Sequence, residues 1–135
     1  MLLDKLNETA TKQNAIHVLK SYPRYKRIAN RSILYLQSPA MNGMPRSDSG
    51  ENNEEKKIVN KVNAETIVVT IENSIAEIYG SEYRMLLENK YMHGDTEYEL
   101  QTTLLISERT MYRKLNAALI SFAEIYPLEE LLAFC

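Results

Sequence analysis

From Glu54 to Tyr79 apolar residues return at the period of an α-helix. Ile58, Val62, Ile67, Ile71, Ile75 and Ile78 recur every three or four positions, apart from one step of five, and Val59, Val68 and Tyr79 widen the stripe. No glycine or proline interrupts this run, and Asn52 or Asn53 is the expected N-cap. The β-branched "TIVVTI" at 66–71 resembles a strand by itself but lies inside the longer helical period. Elsewhere strict apolar/polar alternation is scarce, and 135 residues contain 4 glycines and 4 prolines. A chain so poor in turn residues is predicted to be all-α.

The few helix breakers mark out the rest. A first helix is expected over roughly Leu2–Tyr22, where Pro23 ends or kinks it. A short basic helix follows in "RYKRIANRSILYL". "QSPAMNGMPRSDSGENN" carries two prolines and two glycines and reads as a linker or extended loop. Gly80 then stops the long helix and Ser81 caps the next, Glu82–His93. Gly94 closes that one, Asp95 or Thr96 opens another through Leu104, and Ser107 caps the last. The expected organisation is a basic helical arm at 1–36, a Pro/Gly/Ser-rich linker at 37–53 and a helical domain at 54–135.

Several functions find no support. Cys135 is alone, and His17 and His93 are far apart, so neither a disulfide nor a zinc site is expected. There is no glycine-rich phosphate loop and no G-x-S-x-G elbow. No enzyme activity, cofactor or metal is predicted. No apolar run approaches the roughly 20 residues that span a bilayer, and no signal-peptide pattern opens the chain. The expectation is a cytoplasmic protein with no membrane partner.

Charge is unevenly placed. Residues 1–36 hold seven of the 16 Lys/Arg but only two of the 18 Asp/Glu. Arg24, Lys26, Arg27 and Arg31 are interleaved with Tyr25 and Ile28, which fits either a solvated amphipathic helix or a phosphate or partner contact. At about 100° per residue, Met111, Leu115, Ala118, Leu119 and Phe122 share one side of the last helix. Arg109 and Arg113 fall opposite, with Asn116 beside them and Thr110, Tyr112 and Lys114 on the flanks.

Helix, glycine stop, short helix, turn, serine cap and longer helix is the order of a helix-turn-helix with its supporting helix, here at about 95–120. "KYMHGDTEYELQTTLLISERTMYRKLNAAL" resembles the region of bacterial sigma factors that grips the −35 promoter element. Gln101 stands where that region has a small residue, and Leu105 where its turn has glycine. Left-handed backbone costs a leucine about 1–2 kcal/mol, which argues for a turn of different build. Across most of the chain, "VLKSYPRYKRIANRS", "QSPAMNGMPRSDS", the long helix and "ISERTMYRKLNAALISFAEIYP" resemble the ArpU family of phage and prophage transcriptional regulators. That resemblance implies a three- to four-helix, sigma-region-4-like helix-turn-helix domain that controls late phage genes, and no enzyme. Ser107, Arg109, Thr110, Tyr112, Arg113, Lys114 and Asn116 are then the candidate contacts to double-stranded promoter DNA. Host RNA polymerase is the alternative partner, through a protein-interaction module that does not read DNA. The apolar tail "IYPLEELLAFC" is expected to fold onto the core, with a homodimer contact as the other reading.

Overall fold

The computed structural model describes the backbone of residues 5–31 and 48–135, and the side chains of 5–31 and 55–135. The described residues form α-helices, one π-helical turn and no strand; the sole β feature among them is an isolated bridge between Leu6 and Phe134. Most of the linker expected at 37–53 lies outside them.

Helix α1 spans Glu8–Lys20, starting later than the periodicity suggested. Asn7 caps it by accepting from the Ala10 amide at 3.0 Å. The residues before the cap run extended along the tail: the Asn7 amide donates to the Ala133 carbonyl at 2.7 Å and the Cys135 amide to Lys5 at 2.8 Å. Thr11, fully buried, accepts from the Ala133 amide at 3.0 Å, and Asn14 donates to the Leu131 carbonyl at 3.0 Å. Ser21 breaks the helix, and Pro23 sits in the first turn of α2, Tyr22–Ala29, where its missing N–H is no loss.

Helix α3 runs Asp48–Ala76. It begins inside the segment read as linker, so Asn52 and Asn53 are helical rather than caps. Its core stripe is Ala64, Val68, Ile71 and Ile75, continued by Ile78 past its end. Val59 and Val62, expected to face inward, are 54% and 53% exposed. The five-residue step after Val62 marks where the buried stripe begins. Helix α2 packs on α3, and Lys61 fastens the pair by donating to the Ala29 carbonyl at 2.6 Å.

Gly80, at φ 112°, starts α4, Ser81–Leu87. Ser81 is therefore helical, not the cap expected, and no side chain caps this start. The helix continues as a π turn, Glu88–Met92, with the His93 amide reaching Glu88 at 3.1 Å. Gly94 follows at φ 76°. Helices α5, Glu97–Leu104, and α6, Glu108–Ile125, complete the chain. Met111, Leu115, Ala118, Leu119 and Phe122 are buried as their spacing requires, and Phe122 stacks on Tyr126 at 5.3 Å.

One buried cluster serves all of these elements. Ala15, Val18 and Leu19 of α1 and Tyr22 and Ala29 of α2 join Ile71, Leu86, Leu100 and Phe122 in it. The basic segment is thus packed on the body along its apolar side while Arg24, Arg27 and Arg31 face solvent. Helix α6 is the hub, touched by α1, α4 and α5.

Candidate nucleic-acid interface

Helix α5 opens on a full capping box. Thr96 accepts from the Glu99 amide at 3.2 Å, and the Glu99 carboxylate accepts from the Thr96 amide at 3.0 Å. Those bonds, the backbone one foremost, hold the Glu99 carboxyl below its usual range. Leu100 is fully buried, which sets α5 against the core.

The turn departs from expectation. Leu105 adopts φ 56° and ψ 48°, the left-handed conformation that its side chain argues against. It is the single non-glycine residue with positive φ among those described. The Ile106 amide turns back to the Gln101 carbonyl at 3.1 Å, closing the helix in a Schellman arrangement. Leu104 and Ile106 pack against the core on either side, whereas Leu105 is 88% exposed. Burial of the two neighbours and the returning hydrogen bond outweigh a strain of about 1–2 kcal/mol. A glycine is therefore not needed for this turn.

Ser107 caps α6 as expected, accepting from the Thr110 amide at 3.2 Å and lying 3.0 Å from the Thr110 hydroxyl. Thr110 is thus engaged within the cap. Arg109 and Arg113 stand exposed on the outer side, and Asn116 is half-buried. The remaining two candidates are occupied: the Tyr112 phenol donates to Glu97 on α5, and the Lys114 ammonium pairs with Glu82 on α4. The bond to Glu97 raises the Tyr112 pKa above its ordinary value, with burial and the charges of Glu97 and Glu108 adding to it. On α2, Arg24, Arg27 and Arg31 are exposed, while Lys26 lies 3.6 Å from Glu72, which also accepts from Tyr22 at 2.6 Å.

Sequence reasoning missed Glu82 and Glu97 as partners of the last helix. They lie 32 and 15 residues away along the chain, and no local pattern links them. Among the described residues no His/Cys/Asp/Glu group could hold a metal, and no helix is long and apolar enough to cross a membrane.

No family model and no solved structure matches the chain. Two relatives share the name "Putative autolysin regulatory protein ArpU". One, from Streptococcus phage O1205, is 31% identical over 129 residues, covering 93% of this chain and 94% of its own. The other, from Enterococcus hirae, is 28% identical over 135 residues, with 98% of each chain covered. Similarity of that extent means that the chain belongs to the ArpU family of regulatory proteins.

Proposed function

We propose that this protein is a transcription regulator that binds promoter DNA through a sigma-region-4-like helix-turn-helix formed by α5, the Leu105 turn and α6. The observation that carries the reading is the pairing of that turn with the outer face of α6. The turn joins α5 directly to α6, and Arg109 and Arg113 stand exposed at the start of the second helix. A helix so presented suits a major groove about 12 Å wide, where arginine reads guanine edges bidentately. Ser107 leaves the first α6 amides near any phosphate that approaches. Thr110 and Asn116 assist, while Tyr112 and Lys114 hold α6 to its neighbours until DNA competes for them. The relatives' names point to autolysin control, which fits a regulator of late phage genes such as those for lysis. The domain would occupy residues 54–135, with 1–36 as its basic complement.

The test is selection of DNA fragments by the purified protein, followed by gel retardation with Arg113→Ala. A loss of about 1–3 kcal/mol in binding to the selected fragment is expected if Arg113 reads a base. Retardation identical to wild type would remove Arg113 from the interface.

The second reading is a protein-interaction module for RNA polymerase. The exposed Leu105 and Tyr98, at 88% and 77%, favour it. Association that persists undiminished in high salt, without retardation of any DNA, would select it over the first.

A further inference from the structure

The described arginines divide by what they touch. Arg84 donates to the Ile78 carbonyl at 2.6 Å. Arg24, Arg27, Arg109 and Arg113 are exposed, and among the described residues no carboxylate forms an ion pair with them. The nearby lysines are engaged instead: Lys26 with Glu72, Lys90 with Glu97 at 3.8 Å, and Lys114 with Glu82. On these two faces the cations without an ion pair among the described residues are, apart from Lys20, guanidinium groups, whose planar fork fits phosphate oxygens.

The helices that carry the two arginine groups are linked by a chain of contacts. Lys20 and Pro23, at the α1–α2 junction, line a groove of about 260 Å³ with Lys90, Tyr91, Gly94 and Asp95. Lys90 pairs with Glu97, and Glu97 accepts from Tyr112, the residue before Arg113. Helix α2 thus leads by way of Lys90 to the outer start of α6.

We infer that Arg24 and Arg27, flanked by the exposed Lys20 and Arg31, bind the sugar–phosphate backbone of duplex DNA beside the stretch that α6 meets; this rests on the DNA-binding reading above. Charge and shape select this occupant. A protein partner would want an apolar centre to its contact. On α2 the apolar side chains point the other way: Tyr22 and Ala29 are buried, and Tyr25 and Ile28 pack against the core. The outward face offers guanidinium groups, with the small ring of Pro23 as its one exposed apolar side chain. Phosphate contact of this kind positions a protein on DNA without reading sequence.

The experiment is a salt titration of the full chain on a labelled mixed-sequence duplex several helical turns long. The double variant Arg24→Gln/Arg27→Gln is expected to lower the slope of log affinity against log salt by about 1.8, near 0.9 for each lost phosphate contact. Arg24→Lys/Arg27→Lys is expected to keep most of that slope, and circular dichroism to show both variants folded. An unchanged slope in the glutamine variant, with wild type still binding, overturns the inference and leaves the helix-turn-helix reading standing. An unchanged slope together with lost co-purification with RNA polymerase overturns it in favour of an acidic protein surface. Failure of the wild-type chain to bind any duplex would sink both readings together.

Discussion

At Gly94 and at Leu105 the chain performs one manoeuvre with two different residues. Each has positive φ, 76° and 56°, just after a helical segment. Each is followed by one linking residue and then an N-cap, Thr96 and Ser107. In each case the linking amide turns back to the helix left behind, Asp95 to Asn89 at 2.9 Å and Ile106 to Gln101 at 3.1 Å. Glycine makes the first turn without strain, whereas leucine makes the second against a penalty of about 1–2 kcal/mol. The backbone path is thus dictated by what the flanking residues bury, with the turn residue following. Strain held at one exposed position is also what a surface retained for a partner looks like.

The largest expected effect comes from removing what holds the strained turn in place. Met111, fully buried, is the first core residue after Leu105. Met111→Ala should cost about 2–5 kcal/mol in urea unfolding. A cost below 1 kcal/mol would mean that α6 is not anchored there, and another source for the turn's stability would be needed.

Exchanging the two turn residues gives a smaller effect of opposite signs. A Cβ on Gly94 would meet nothing within 4 Å, so Gly94→Leu should lose only the conformational penalty, about 1–2 kcal/mol. Leu105→Gly removes that penalty but frees the unfolded chain, and should stabilise by up to about 1 kcal/mol. Thermal melts of the two variants check both signs. If Leu105→Gly melts higher yet binds its partner less well, the exposed side chain belongs to the binding surface.

The smallest effect separates the caps by pH. Glu99 closes the capping box of α5, whereas Thr110 stands at the matching place in α6. Because the folded state lowers the Glu99 pKa, its contribution is present above the ordinary value of 4.5 and is lost as pH falls through the lower folded value. The protection factors of amides at the start of α5, taken relative to intrinsic exchange at each pH, should therefore fall in acid, and Glu99→Gln should abolish that dependence. The Ser107 cap has no carboxylate, so the start of α6 should keep its protection over the same range.

The inward face of α6, the caps Thr96 and Ser107 and the break before Pro23 were legible in sequence because each depends on a few neighbouring residues. Periodicity could not tell that Val59 and Val62 lie on an exposed part of α3, so both are grouped with its inward stripe. It groups residues onto a face without saying what meets that face. Among the candidate site residues, the outward placement of Arg109 and Arg113 follows from the inward demand of Met111 and Leu115. The engagement of Tyr112 and Lys114 does not, because it depends on how α4 and α5 approach α6. The left-handed Leu105 ran against local propensity, and only the packing of Leu104 and Ile106 explains it.

The pairing of residues 5–7 with 133–135 has a consequence in time. Its backbone hydrogen bonds, Asn7 to Ala133 and Cys135 to Lys5, join positions 126 and 130 apart in sequence. Closure over so long a loop is slow to find by diffusion and adds contacts of the highest order. The clasp should therefore form late in folding, once α1 has met α6. The Asn7 and Cys135 amides, both hydrogen-bonded across the clasp, should then be the last to gain protection in a refolding pulse.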